Sequence, residues 1–307
     1  MAGEYVKPNP MSHKEQPDRW IKCVSTHGNI RGVAIQATEL VQSISELHGL
    51  SEVGAKGLGE AVIGGLLISS FCKGGERINL NVRGSGHYQQ ALVDAYPNGT
   101  VRAYLSERPS EEILKGKNTD SGPWGSGLIS VLRTKDGESK QPYIGTVPMI
   151  TGHLAKDLSF YWVQSEQIPS AVGLVTQVQN GRVVSAGGFL VQALPGATSA
   201  EIATIESHIH ELHGLPGELI QNSDPLHLLS RIFQSTALII VEEKSLKFSC
   251  NCSWERVERA LTLVGPKELK LMLAEDQQAT VRCDFCTKEY KVDALKLEQM
   301  ISVAEAN

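Results

Sequence analysis

The sequence predicts an α+β protein. It would have a mixed α/β N-terminal domain with antiparallel strands, a helical middle segment and a small cysteine-rich C-terminal module. Three observations lead to this prediction. Amphipathic helical patterns stand beside strand-like runs joined by short turn sequences, which is typical of antiparallel pairing. A helical, acidic stretch follows the break at Pro195-Gly196. Four of the six cysteines lie between residues 250 and 286.

Length and composition narrow the class of protein. A chain of 307 residues is expected to form two or three domains. With 29 basic and 34 acidic residues its net charge is −5, which argues against a general nucleic-acid binder. The longest apolar run, 61–72, is shorter than the ~20 residues that cross a bilayer, so no membrane association is expected. The first twenty residues lack the apolar core of a signal peptide, which favours a cytoplasmic protein.

The N-terminal domain is predicted to span residues 18–197, after a polar N-terminal extension, 1–17. A strand is expected at 20–25, followed by an amphipathic helix at 37–48 and a glycine-rich helix at 51–71. The next strand is indicated by alternation of apolar and polar side chains. Its apolar members are Ile78, Leu80 and Val82.

Two turn sequences predict β-hairpins in this domain. Pro97-Asn98-Gly99 separates two strand-like runs, and Asn180-Gly181 separates two more. Hairpin connections join neighbouring antiparallel strands, so these pairs are expected to lie side by side.

The middle segment, 198–247, is predicted to be mainly helical and to link the two domains. Thr198 and Glu201 have the spacing of a capping box, which indicates a helix start. Strand character returns at 236–241. Two apolar stripes are expected to pack inward: Ile202, Ile205, Ile209 and Leu212 on the first helix, and Leu226, Leu229 and Phe233 on the second.

The C-terminal module, 248–307, is predicted to contain three helices and a pair of short strands. Ser253 is expected to cap the first helix, Pro266 begins the second, and the strands lie within 280–292. The expected inward-facing residues are Val257, Ala260, Leu261, Val264, Leu269, Met272, Leu273, Leu297, Met300 and Ile301.

Two cysteine pairs give this module its chemistry. Cys250-Asn-Cys252 is followed, after an intervening helical stretch, by Cys283-Asp-Phe-Cys286. Four thiolates form the commonest closed structural zinc shell, and paired spacing suits a tetrahedral site. We therefore predict a zinc module that binds one zinc ion per chain in the reduced state. Basic residues near in sequence would offset the charge of the thiolates: Lys247, Arg256, Arg282 and Lys288.

A comparison of stabilisation energies predicts that the zinc ion holds the module folded. A core of about 60 residues rarely supplies more than ~3–5 kcal/mol of stability. Structural zinc contributes roughly 10–16 kcal/mol in small modules. The module should therefore fold with zinc and unfold without it. Oxidation of the thiolates to disulfides would remove ligands, so the metal, the fold and the oxidation state are linked.

Two alternatives remain open from the residues alone. A thiol–disulfide oxidoreductase would use Cys283 and Cys286, but the first such cysteine normally begins a helix, and strand-like residues flank this pair. A zinc-dependent nucleic-acid or ribosome-binding module would favour a basic surface, whereas the acidic residues of the C-terminal segment slightly outnumber the basic ones.

Several other candidate residues carry less weight. Cys23 and Cys72 are expected to be core thiols. His208, His210 and His213 resemble metal ligands, but only the last two share a helix face, so surface histidines are the simpler interpretation. The Gly-rich stretch 122–127 lacks the Lys-Ser/Thr of a phosphate loop. No catalytic constellation is present, and we expect that the protein is not an enzyme.

Motifs along the chain resemble those of a known family, the bacterial thirty-three-kilodalton chaperonins, which are redox-regulated holdases of the heat-shock class. The resemblance covers nearly the whole chain beyond the first 18 residues. The polar N-terminal extension and Trp254, where the family pattern is more polar, are departures that leave the cysteines untouched. The matching motifs are Phe248-Ser-Cys250-Asn-Cys252-Ser253-x-Glu255-Arg256-Val257, Cys283-x-Phe285-Cys286 with Tyr290, Gly125-Ser126-Gly127 with Leu128, Pro142-Tyr143-x-Gly145, Ser165-Glu166-Gln167-Ile168-Pro169 and Ala186-Gly187-Gly188.

The resemblance implies a stress-activated mechanism. The reduced protein would hold zinc through Cys250, Cys252, Cys283 and Cys286 and be inactive. Oxidants would form the disulfides Cys250–Cys252 and Cys283–Cys286 and release the zinc. The C-terminal module and the middle segment would then unfold, and the protein would bind unfolding client proteins without ATP, as a homodimer.

Overall fold

A computed structural model describes residues 17–109, 122–135, 142–212, 224–234 and 236–305. It confirms the predicted α+β class. The strands are β1 Arg19–Ser25, β2 Ile30–Gln36, β3 Glu76–Gly84, β4 Tyr88–Ala95, β5 Thr100–Glu107, β6 Gly127–Lys135, β7 Tyr143–Met149, β8 Ser170–Gln179, β9 Arg182–Ala193, β10 Leu238–Ser245, β11 Lys247–Phe248, β12 Gln278–Arg282 and β13 Glu289–Asp293.

Eight helices are described. They are α1 Thr38–His48, α2 Glu52–Ser69, α3 Leu154–Gln164, α4 Ser199–Glu211, α5 Pro225–Ile232, α6 Trp254–Val264, α7 Pro266–Asp276 and α8 Ala294–Glu305. Of these described helices none is both long and apolar enough to cross a membrane. Most of the predicted N-terminal extension, as well as His213, falls outside the described residues.

The strands form three sheets. The five-stranded sheet has the order β10-β1-β2-β9-β8, the six-stranded sheet β11-β5-β4-β3-β6-β7, and the third consists of β12 and β13. Pairing is antiparallel throughout, except that β11 pairs with β5 in parallel. Both predicted hairpins are confirmed, because β4 pairs with β5 and β8 pairs with β9. Asn180 and Gly181 both have positive φ, as a two-residue hairpin turn requires.

The glycine-rich helix α2 packs between the two large sheets, and most of its residues are buried. Its glycines allow this close approach. A Cβ on Gly65 would lie 2.7 Å from Cγ1 of Val93 in β4, and a Cβ on Gly59 would overlap Thr176 of β8. The main core lies around this helix, between the sheets.

Helices α4 and α5 cover the other face of the five-stranded sheet. The predicted capping box of Thr198 and Glu201 is present at the start of α4. A second apolar cluster joins these helices to the sheet, with Ile205 and Phe233 among its buried members. A Cβ on Gly32 of β2 would lie only 3.0 Å from the ring of Phe233, so the ring packs closely against this glycine.

The stripe predicted on α5 was partly wrong. Leu229 and Phe233 are buried, but Leu226 is 37% exposed. Leu228 and Ile232 are buried instead, because the face of this short helix that meets the sheet is shifted by a fraction of a turn. The predicted strand after α5 is longer than expected: β10 pairs with β1 at the edge of the five-stranded sheet.

The C-terminal residues form a third apolar cluster of their own. The two predicted short strands are confirmed as β12 and β13, and Leu297, Met300 and Ile301 of α8 are buried. On α6 only Val257 and Leu261 of the four predicted residues are buried, while Ala260 and Val264 face solvent. Ser253 stands at the N-cap position, but its side chain accepts no capping hydrogen bond, so this expected cap is wrong.

Candidate metal centre

The structure brings together the four cysteines that the sequence singled out. Cys250 and Cys252 lie in the segment between β11 and α6, and Cys283 and Cys286 lie in the turn that joins β12 to β13. The turn is closed by backbone hydrogen bonds from Cys283 N to Lys288 O, 2.9 Å, and from Thr287 N to Cys283 O, 2.8 Å. This tight turn places two Sγ atoms on the side that faces the other pair.

The four Sγ atoms all lie within 4.8 Å of one another. Within the described ranges no other group of three or more His, Cys, Asp or Glu side chains meets so closely. A tetrahedral zinc ion with bonds of ~2.3 Å to sulfur needs sulfurs about 3.8 Å apart. Four soft sulfur donors at this spacing fit a zinc ion, since such a set is typical of closed structural sites.

Two close sulfur–sulfur contacts connect one pair with the other. Cys250 Sγ lies 3.7 Å from Cys283 Sγ, and Cys252 Sγ lies 3.4 Å from Cys286 Sγ. No disulfide is formed, and all six cysteines are free thiols. Proximity in this compact cluster therefore does not select the disulfides that oxidation would form.

Hydrogen bonding makes one thiol more acidic than its neighbours. Burial opposes ionisation of Cys252, but hydrogen bonds from the Tyr290 hydroxyl, 3.1 Å away, and from the neighbouring thiols outweigh it and lower its pKa to about 7. Burial raises the pKa of Cys283, and it raises the pKa of Cys286 to about 12.

A buried arginine of the six-stranded sheet reaches the cluster. Arg102 of β5 donates to Asp94 at 2.6 and 2.9 Å, to Asn251 Oδ1 at 2.7 Å and to Cys250 Sγ at 3.8 Å. Arg256 donates to the same Asn251 oxygen at 2.8 Å. The guanidinium therefore joins the first cysteine pair to a buried ion pair of the body.

The second cysteine pair is joined to the body through Phe285. Its ring lies against the Arg102 guanidinium, with 4.1 Å between guanidinium carbon and ring centre, and makes an edge-to-face contact with Tyr104 at 5.3 Å. His48 Nε2 lies 3.2 Å from the Phe285 carbonyl oxygen and 3.2 Å from the Ala103 carbonyl oxygen. We call the contacts of Phe285 with Arg102, Tyr104 and His48 the Phe285 clamp, and these three residues are its clamp residues in the body.

Sequence reasoning missed the clamp residues. Nothing near the cysteines in the chain marks Arg102 or His48, which lie 148 and 237 positions from their partners Cys250 and Phe285. Of the basic residues expected to offset the thiolates, Lys288 lies 4.9 Å from the Tyr290 ring centre, and Arg256 contacts Asn251. Arg102, which is remote in sequence, donates to Cys250 Sγ.

The remaining candidates stay apart from the cluster. Cys23 is buried, which raises its pKa to about 12, and burial raises the pKa of the half-buried Cys72 to about 11. His208 Nδ1 lies 3.0 Å from the Ile232 carbonyl oxygen, so it joins α4 to α5. His210 is exposed. In the described part of the chain, neither histidine belongs to a group that could hold a metal.

The fold and the site together define the class of this protein. It is an α+β protein whose C-terminal module carries four clustered thiols as a candidate metal centre. The chain belongs to the Hsp33 family, because the family model described as Hsp33 protein matches residues 18–293.

Curated relatives and a solved structure agree with the family. The "33 kDa chaperonin" of Geobacter sulfurreducens is 36% identical over 92% of this chain and 94% of its own. That of Nostoc punctiforme is 36% identical over 94% of this chain and 97% of its own. The crystal structure of the 33 kDa chaperonin (heat shock protein 33 homolog) from Thermotoga maritima superposes with a TM-score of 0.83 at 29% identity, covering 95% of this chain and all of that one. The family and these names indicate a chaperone.

Proposed function

We propose that the protein is a redox-regulated, ATP-independent holdase that binds unfolding proteins under oxidative stress. It is inactive when reduced and zinc-bound, and disulfide formation with zinc release activates it. One observation carries the proposal: the four Sγ atoms lie within 4.8 Å of one another in a module that the Phe285 clamp fastens to the body. The state of the thiols thereby controls a contact between two parts of the chain.

In the reduced state Cys250, Cys252, Cys283 and Cys286 would hold one zinc ion, which supplies a cross-link between the segment before α6 and the β12–β13 turn. The apolar cluster of the module is small, with nine buried members. A core of that size supplies only ~3–5 kcal/mol, while structural zinc contributes roughly 10–16 kcal/mol. The module therefore depends on its four thiolates for its fold.

Oxidation removes the thiolates. Each disulfide joins two thiolate sulfurs and passes two electrons to the oxidant, for example a peroxide that takes up two protons from solvent and is reduced to water. The family resemblance supports the pairs Cys250–Cys252 and Cys283–Cys286. Both would close very short loops, which restrict the unfolded chain least, so these disulfides do not replace the lost stability.

Unfolding of the module uncovers apolar surface for clients. Helices α4 and α5 precede the module, and their apolar stripes lie against the five-stranded sheet in the folded state. Loss of this order would expose Ile205, Leu229 and Phe233, and exposed apolar patches bind other exposed apolar chains. A homodimer in the oxidised state and a cytoplasmic location, both expected from the sequence, are part of this proposal.

An aggregation assay tests the proposal. A thermally unfolding client is mixed with reduced, zinc-loaded protein or with peroxide-treated protein, without nucleotide, while light scattering and zinc release are followed. We expect the oxidised protein to suppress scattering and the reduced protein to have little effect. Equal protection by both forms would refute the switch.

The same samples test the oxidoreductase alternative. Cys283 lies in a hairpin turn rather than at the start of a helix, and its pKa is raised by burial, so it lacks the activation of a catalytic thiol. We expect no rapid turnover in an insulin-reduction assay. Fast catalytic reduction would favour an enzyme instead.

A further inference from the structure

Strand β5 would be an edge of the six-stranded sheet if β11 were removed, since β11 is the outer neighbour of β5. Near the start of β5, the carbonyl groups on the side of β11 are those of the alternate residues 101 and 103, and Gly99 directly before the strand faces the same way. The Gly99 oxygen accepts from Lys247 N at 3.1 Å, and the Val101 oxygen accepts from Ser249 N at 2.9 Å. The Ala103 oxygen lies 3.2 Å from His48 Nε2. The chain therefore covers this edge with its own residues.

The covering segment, residues 247–249, fits closely against the sheet. The side chain of Phe248 is half-buried and packs against the main core. Gly99 has a φ of +84°, and a Cβ at this position would overlap the Ser245 carbonyl oxygen, so the approach of the segment needs a glycine there. Such a fit shows what this edge accepts: an extended backbone with an apolar ring at the position of Phe248.

The covering segment adjoins the cysteine cluster at its C-terminal end, and His48 is linked to the cluster through Phe285. Ser249 directly precedes Cys250, and the segment is joined through Asn251 to Arg102. His48, which lies beside the Ala103 carbonyl, is also within hydrogen-bond distance of the carbonyl of Phe285, which stands between Cys283 and Cys286. When the cluster is lost, both attachments are lost with it. The β5 edge then presents unpaired N–H and C=O groups, which is a template for another strand.

We propose that the uncovered edge of β5 binds an extended segment of an unfolded client in the oxidised protein, and that residues 247–249 occupy this site in the reduced protein. This inference rests on the proposed function. Backbone hydrogen bonds give affinity for clients of any sequence, while the position of Phe248 favours an aromatic or large aliphatic side chain. Arg102 of β5 is paired with Asp94, which reduces the charge that an apolar client segment would meet there.

Hydrogen exchange on the full chain tests where the client binds. Exchange at the amides of β5 is compared in the reduced protein, the oxidised protein and the oxidised protein with client. We expect protection at the Val101 amide, which pairs with β11 in the reduced protein, to fall on oxidation and to return with client. Client that is protected from aggregation while β5 stays open would overturn the inference and leave the proposed function standing. Client that is not protected would refute the proposed function itself.

A second chain of this protein is the competing occupant of the edge. If oxidised protein without client keeps β5 protected, and this protection disappears on dilution together with the dimer, the edge is a dimer contact and the inference is overturned. Loss of β5 protection at all protein concentrations supports a free docking strand.

A peptide competition tests the fit of the site. A peptide with the sequence of residues 245–251 and the change Cys250→Ser is added to oxidised full-length protein and client. We expect it to restore client aggregation, and expect the Phe248→Ala version to need about tenfold more peptide, because an aromatic ring that packs against the core is lost. The matched control, Lys247→Ala, changes an exposed side chain and should compete like the parent. Equal competition by all three peptides and a scrambled one, or none by any, would overturn the inference.

Discussion

The guanidinium of Arg102 lies against the ring of Phe285, with 4.1 Å between guanidinium carbon and ring centre. Phe285 stands between two cysteines of the cluster, whereas Arg102 belongs to the buried ion pair with Asp94 in the body. This contact links the thiol centre to the six-stranded sheet. Substitutions at this contact and at the cysteines can therefore test the steps of the proposed switch separately.

Replacement of the ring should loosen the module. Phe285→Ala removes the cation–π and edge-to-face contacts with Arg102 and Tyr104, together on the order of 1–3 kcal/mol. We expect the variant to release zinc and protect clients at lower peroxide concentrations. The activation curve measured by light scattering checks this. Asp284→Asn, an exposed change in the same turn, is the matched control and should keep the wild-type curve.

The metal assignment predicts a loss of zinc from a double variant. Wild-type reduced protein should contain one zinc ion per chain, and Cys283→Ser with Cys286→Ser should contain none, since serine hydroxyls are poor zinc ligands. Metal analysis under reducing conditions measures this. The variant Cys72→Ser, in a half-buried thiol outside the cluster, should keep its zinc. Zinc retained by the double variant would disprove the site.

Chelation of zinc should unfold the module and leave the two-sheet body folded. The main core lies between the two large sheets and contains none of the four clustered cysteines, so residues 18–197 should keep their hydrogen-exchange protection. Strand β10 should stay protected too, because it pairs with β1 along its length. Residues 278–305 should lose protection. Simultaneous loss in the body and the module would show that the predicted domain boundary is wrong.

A pH dependence is expected from Asp18. Its Oδ2 accepts from Leu40 N at 2.5 Å, but burial dominates and raises its pKa to about 6. The unfolded value is ~3.9, so between pH ~4 and ~6 the folded state binds more protons than the unfolded state. This carboxylate therefore lowers stability as the pH rises through that window, by about 2–3 kcal/mol in total.

The variant Asp18→Asn keeps an acceptor for Leu40 N without the charge. Its stability relative to wild type should increase by about 2 kcal/mol between pH 4 and pH 7. Denaturant unfolding of the reduced, zinc-loaded proteins at several pH values measures the difference. The control Glu298→Gln removes an exposed carboxylate on α8, which is not among the groups that shift the pKa of Asp18, and should show no such trend. A constant difference for Asp18→Asn would contradict the expected ionisation.

Much of the fold prediction depended on local sequence patterns. The hairpin at Asn180-Gly181 and the capping box at Thr198 are determined by a few adjacent residues, and both are confirmed. Predictions that needed to know what packs against a helix were less accurate. Leu226 and Ala260 have the right spacing for an apolar face but lie at its margin, where the neighbouring surface ends.

By itself the sequence determined that this is an α+β protein whose four paired cysteines lie in a separate C-terminal module, because spacing of thiols and periodicity of apolar residues are local properties. Only the tertiary structure decided that β11 covers β5 in parallel and that His48 and Arg102 meet Phe285. The clamp residues are far from Phe285 in the chain, and the short strand β11 has no pattern of its own. Their contacts follow from how the two sheets stack around α2, which no local pattern encodes.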